Sequence, residues 1–204
     1  MNERIAEAQS FDLRWLPFRN DASETVPAHA VVRITGAVLA EDRRTVLTGE
    51  QPGSTFARIY GVNSATPVGA GRRGALTLNG PAFAIYDNGP PAAGEGWGPK
   101  PGSWKLHRGY YGFSIQGGVN TEKGIALAML SPIDHLEGKA SGSISADGTG
   151  TVDVWTGENP GADTTWNVMA WNRYDTAAAI SSGKRVGCSW NGNVWVVRAA
   201  ECES

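Results

Sequence analysis

Six residues, Gly69-Ala-Gly71-Arg-Arg-Gly74, carry the glycine spacing of a dinucleotide-binding turn. That chemistry needs a strand before the turn and a helix after it, whose N-terminus holds the pyrophosphate. Pro67 precedes the segment and strand-like Ala75-Leu-Thr-Leu78 follows it, so it reads as a loop. His29, His107 and His135 are far apart and lack the spacing of metal ligands. Asp134-His135-Leu-Glu137 is an acidic cluster without a second half, the pattern of a solvated linker. Asp147-Gly-Thr-Gly-Thr-Val-Asp153 lacks the run of oxygen ligands and the closing Glu of a calcium loop, and reads as a hairpin. No Gly-x-Ser-x-Gly elbow is present, and nothing marks a His as base for Cys188. A glycosidase carboxylate pair is a matter of tertiary geometry, and no residue pattern favours one. The expectation is a protein that is not an enzyme, with no cofactor and no metal.

The tryptophans are the other chemically capable group, eight of them. Trp buries a large ring while its N–H seeks a partner. Trp155, Trp166, Trp171, Trp190 and Trp195 read as core or subunit interface, with sugar stacking as the alternative use. Trp97 sits in a Gly/Pro-rich stretch and is the candidate for an exposed loop contact.

The elements that would position these residues are strands. Of 204 residues, 41% are hydrophobic and only 19% charged, with 27 Gly and 11 Pro. Short strands separated by glycine-containing turns are the simplest architecture with this composition. The net charge of −2 offers no basic field for nucleic acid. No run approaches a membrane span, and residues 1–10 hold no signal-like apolar stretch. The expected locale is therefore synthesis in the cytoplasm without secretion. Cys188 and Cys202 flank the last hairpin. A bond between them is conceivable, but two reduced thiols are the expectation in reducing cytosol.

The expected class is all-β: two β-rich modules, sandwich or barrel-like, behind a short arm. Residues 1–24 form that arm, with the pattern of a short helix over 2–9. Ile5, Phe11, Leu13, Trp15 and Phe18 are its apolar residues and the candidate interface. Such an arm either tucks under its own domain or docks on a neighbour. Residues 25–132 read as one β-rich domain, interrupted by a long irregular loop at 87–103. Residues 133–204 read as a smaller β module, with a helical turn over 175–180 and a final hairpin whose two-residue turn is Asn191-Gly192. No strict internal repeat is seen.

Four segments together resemble a known group. Arg19-Asn-Asp-Ala-Ser-Glu-Thr-Val-Pro-Ala-His-Ala-Val-Val-Arg-Ile-Thr-Gly36 is similar to a recurring opening. Gly94-Glu-Gly-Trp-Gly-Pro-Lys-Pro-Gly-Ser-Trp-Lys-Leu106, with Gly112-Phe113, resembles its middle, and Ile180 to Cys202 its end. The layout resembles uncharacterised structural proteins of tailed bacteriophages, from the head-neck-tail region. Ala22-Ser23 stands where that opening has Ser-Gly. The resemblance implies a virion component, in the neck, tail or capsid, that assembles in many copies with itself and other virion proteins. It supplies no catalytic residues. The alternative is a carbohydrate-binding or host-receptor-binding module of the same virion.

Overall fold

Period-two alternation turns this sequence into sheet. Ile125-Ala-Leu-Ala-Met-Leu130 buries Ala126, Ala128 and Leu130 and leaves Leu127 and Met129 partly exposed. Pro132 follows close behind. The computed structural model describes residues 15–40, 45–87, 89–155, 166–173 and 178–201. Among them are fifteen strands and no helix, so the chain is all-β.

The strands group into three rings of five. The first comprises β1 (Leu16–Asn20), β2 (Val31–Leu39), β3 (Thr45–Glu50), β4 (Tyr60–Asn63) and β5 (Arg73–Thr77), closed in the order β1-β3-β2-β4-β5. Strand directions alternate around a purely antiparallel ring, which requires an even number of strands. A five-stranded ring must therefore contain a parallel pair. Here it is β1 with β3, in register Phe18↔Leu47.

The second ring comprises β6 (Pro81–Ile85), β7 (Gly96–Pro99), β8 (Leu106–Arg108), β9 (Phe113–Asn120) and β10 (Ile125–Leu130), as a sheet ordered β6-β10-β9-β7-β8. An isolated parallel bridge, Tyr86↔Leu106, joins its two edges. The third comprises β11 (His135–Ala140), β12 (Thr149–Val154), β13 (Asn167–Trp171), β14 (Arg185–Trp190) and β15 (Trp195–Ala200), closed as β11-β12-β13-β15-β14 with β13 and β15 parallel.

These rings are related. In the first two, the first strand runs parallel to the third, the third pairs with the second, and the second with the fourth. The fourth pairs with the fifth and the fifth with the first. The third ring has the same neighbours and directions, but the chain enters at a different strand: its third strand takes the place of the others' first. The repeat is one of strand topology without a matching sequence repeat, which is why the sequence does not display it.

Several expectations change. The stretch 25–132, read as one domain, carries strands of two rings. Residues 16–20, read as arm, are a strand of the first ring. The loop 87–103 contains β7. The final hairpin pairs Trp190 with Trp195, so its turn has four residues. Gly192 takes φ +100°, a conformation that needs glycine. Asn191 does not share it; its Oδ1 instead accepts the N–H of Asn193 at 3.0 Å and of Val194 at 2.9 Å. The expected helix over 2–9 lies outside the described residues. So does most of the expected helical turn at 175–180, whose last residue, Ile180, forms a bridge with Ile144.

The rings share a core. Phe18, Val26, Val32, Val68 and Leu76 fill the first ring, while Val31, on the other face of β2, joins the cluster that spans the second and third. Between β3 and β4 the chain crosses to the third ring. Phe56 N–H donates to Asn167 O at 2.8 Å, and Asn167 N–H to Ser54 O at 2.9 Å. Phe56 and Tyr110 both stack against Trp166, so the three rings meet at one indole. The Tyr60 hydroxyl is buried at the same junction, accepts the Ala57 N–H at 3.1 Å, and has its pKa pushed up to about 12 by desolvation.

Candidate functional site

Of the five apolar arm residues, Ile5, Phe11 and Leu13 lie outside the described residues. The other two part company. Phe18 is 0% exposed and packs inside the first ring, so it is core and not interface. Alternation along β1 explains this: Phe18 and Asn20 turn inward, while Pro17 turns out. Trp15, one residue before β1, is 45% exposed.

Trp15 has apolar company at its end of the ring. The outer half of β2, Thr35 to Leu39, is exposed throughout, and Leu39 is 72% exposed beside Val38. Leu39 pairs with Thr45, the first residue of β3. On the other side of β3, the parallel register Phe18↔Leu47 carries β1 back toward the same end. The registers thus place Trp15 and Leu39 on either side of the start of β3. Large apolar side chains exposed together mark contact surfaces more often than single exposed ones do.

Trp97 reverses its expectation. It is 1% exposed, because it lies on β7 and not in an open loop. Its indole N–H donates to Glu95 Oε2 at 3.0 Å, and its ring meets Tyr86 edge-on at 6.2 Å. Glu95 also accepts the Ala92 N–H at 3.0 Å and pairs with Arg108 at 2.5 Å. The Ala92 N–H, then the Trp97 N–H, and further the Arg108 guanidinium hold the Glu95 carboxyl below its ordinary range. β7 runs so close to the Tyr110–Tyr111 backbone that a Cβ on Gly98 would overlap Tyr111 main-chain atoms. The Gly/Pro composition seen as loop is the signature of this close approach.

The opening segment Arg19 to Gly36 holds no reactive group. Asn20, fully buried, donates Nδ2–H to Glu24 O at 2.7 Å and to Val68 O at 2.9 Å, and accepts the Ala22 N–H at 2.9 Å. Asn63, also fully buried, donates to Pro27 O at 2.7 Å and Thr66 O at 3.0 Å. Both side chains satisfy the backbone of the 20–30 loop, a folding role.

One cluster that the sequence did not single out has the composition of a nucleophile triad. Ser103 Oγ lies 2.9 Å from His107 Nε2, and Asp87 Oδ2 lies 3.8 Å from the same nitrogen. A triad needs serine and carboxylate on opposite ring nitrogens, so that the imidazole passes a proton while the acid orients it. Here both approach Nε2, and Lys105 shares Asp87 at 3.8 Å. The arrangement tethers the segment before β8. Cys188 is buried, and desolvation pushes its thiol up to about 12, the opposite of what an attacking thiolate needs. Among the described residues no group of three or more His, Cys, Asp or Glu could hold a metal. Gly69 to Gly74 leads into β5 and not into a helix.

The third ring places the remaining tryptophans. Trp166 and Trp195 are buried. Trp155, Trp171 and Trp190 are half-buried, each beneath an arginine: Arg185 at 5.4 Å, Arg173 at 6.0 Å and Arg58 at 5.7 Å from the ring centroid. Trp171 N–H also donates to Asp147 Oδ1 at 3.0 Å. The Asp147 segment, read as a hairpin, leads into β12, with Asp147 itself at φ +51°.

Compared with known proteins, the chain matches no family model, no curated protein and no solved structure.

Proposed function

We propose that this chain is a non-enzymatic structural subunit of a tailed-bacteriophage virion, in the neck, tail or capsid-associated layer. It assembles in multiple copies through protein–protein contacts. The observation that carries the reading is the exposed apolar end of the first ring, Trp15 with Val38 and Leu39. The resemblance of the 19–36, 94–113 and 180–202 segments to such proteins supports the same reading. The non-enzymatic part of the reading is supported by Ser103 Oγ and Asp87 Oδ2 both approaching Nε2 of His107, an arrangement unlike a triad.

The partners are copies of itself and other virion proteins, and the locale is the virion. No nucleic acid or membrane contact is invoked; among the described residues no helix is long and apolar enough to cross a membrane.

The test is the solution mass of the full chain beside that of a Trp15→Ser, Leu39→Asp double variant. The expected result is an oligomer that the double variant dissolves while keeping the wild-type melting curve. A wild-type monomer at high concentration that also fails to bind other virion proteins would refute the reading.

A further inference from the structure

A cleft of about 770 Å³ runs between the second and third rings, lined by Tyr111, Leu136, Glu137, Gly187, Ser189 and Arg198, among others. It adjoins a second cleft of about 500 Å³ that shares Tyr111 and His135 and continues along Ser114, Ser131 and Asp134. The two form one groove with Tyr111 on its wall. Its floor is the outward face of β11 and β14, where His135 sits opposite Ser189 and Glu137 opposite Gly187. The absence of a side chain at Gly187 keeps the middle of that floor low; a Cβ there would meet only Ala199, at 4.0 Å.

We propose that this groove binds a short uncharged oligosaccharide. Four observations select that class. First, the polar groups around the groove are under-used among the described residues. Arg198 commits only Nε, to Ser189 Oγ at 2.7 Å, and Glu137 commits Oε2 to Arg185 at 2.6 Å. The Tyr111 hydroxyl and the His135 ring make no hydrogen bond to another described residue. The groove therefore offers both donors and acceptors to a polyhydroxylated ligand. Second, the half-buried Tyr111 ring adds an aromatic wall of the amphipathic kind, beside buried Leu136 and Cys188.

Third, the charges are mixed. Glu137 pairs with Arg185 at 2.6 Å, Arg198 lines the same cleft, and Asp134 is held by Arg58 at 2.6 Å. No single-sign field is present to select a polyanion or a polycation. Fourth, the floor offers no strand edge. β11 has β12 and β14 as neighbours, and β14 has β11 and β15. A peptide therefore cannot dock here by adding a strand, one of the recurring routes for an extended chain.

The experiment is amide-resolved NMR of the full chain titrated with cellotetraose, maltotetraose and chitotetraose, with an uncharged Gly/Ser hexapeptide as control. Saturable shifts at Gly187, Ser189 and Tyr111 with at least one sugar, and none with the peptide, are expected. Tyr111→Ala and Arg198→Ala should each weaken that binding by about ten-fold or more, the scale of a contact residue at the centre of a site. Tyr111→Phe keeps the ring and should lose less, so it serves if Tyr111→Ala does not fold. Silence from all three sugars overturns the proposal. Equal shifts from the peptide overturn it as well. Shifts that grow with protein concentration alone would make the groove a contact between copies instead. The Trp15 and Leu39 substitutions lie on a different ring, so failure here leaves the assembly reading to be judged separately.

Discussion

The rings of Phe56 and Trp166 lie 4.5 Å apart, centroid to centroid, and tilted by 56°. Phe56 comes from a connection in the first ring and Trp166 from the edge of β13 in the third. The pair is therefore a joint between units and not the core of either. Phe56 touches Trp195 as well, at 5.7 Å. Phe56→Ala should cost about 3–5 kcal/mol, the range for removing a buried aromatic ring and leaving its cavity. Calorimetry checks it. A single wild-type transition that falls in temperature in the variant is expected. Two independent wild-type transitions, with the variant unchanged, would mean that the joint carries no stability.

Two glycines on β7 give a paired prediction. Gly96 has open space where a Cβ would stand, while Gly98 faces Tyr111 main-chain atoms. Gly98→Ala should destabilise by about 3 kcal/mol or more, at the upper end of overpacking costs. Gly96→Ala should stay within about 0.5 kcal/mol of wild type. Chemical denaturation of the two variants side by side decides it. Equal effects would show that the close approach at Gly98 relaxes freely.

Glu95 makes stability depend on acid. The Ala92 and Trp97 N–H groups hold its folded-state pKa below the ordinary carboxylate value. A carboxyl with a depressed folded pKa contributes fully above its unfolded pKa, and that contribution is lost as pH falls through the folded value. The melting temperature of wild type should therefore exceed that of Glu95→Gln by a constant margin above about pH 5, and the margin should close as pH falls below about 4. A margin that widens in acid would contradict the sign.

The four-residue turn at 191–194 separates backbone strain from side-chain bonding. Gly192 holds φ +100°, so Gly192→Val should cost about 1–3 kcal/mol. Asn191→Ala removes two acceptor contacts to the turn and should cost about 1 kcal/mol. Thermal melts of the two variants measure both. A neutral Gly192→Val would mean that the turn rearranges without strain.

Much of the sheet was legible because alternation is local. The strand 125–130 matches its expected limits, and 184–190 and 194–199 shift by a residue. What escaped was set by partners distant in sequence. Phe18 reads as an exposed arm residue until β1 finds β3 and β5, some 29 and 56 positions away by register. Trp97 reads as a loop residue because Gly and Pro surround it, yet those residues let β7 lie against the Tyr110–Tyr111 backbone. The groove was invisible for the same reason: Tyr111 and Arg198 belong to different rings. Ser103, His107 and Asp87 were unremarked because their spacing carries no signature, and in the fold Ser103 and Asp87 approach the same nitrogen of His107.

The permuted ring has a consequence for engineering. Three units reach the same set of neighbours, one of them with its ends in a different gap between strands. What defines such a unit is who lies beside whom, and the place where the chain is cut is secondary. Moving the ends of the first ring to the gap that the third ring uses, by joining β5 to β1 and opening the connection between β3 and β4, should therefore yield a foldable polypeptide. The opened connection carries Phe56, however, so the re-wired unit would lose the fixed loop that holds this side chain against Trp166. It would offer a small barrel whose exposed end could be presented on another scaffold.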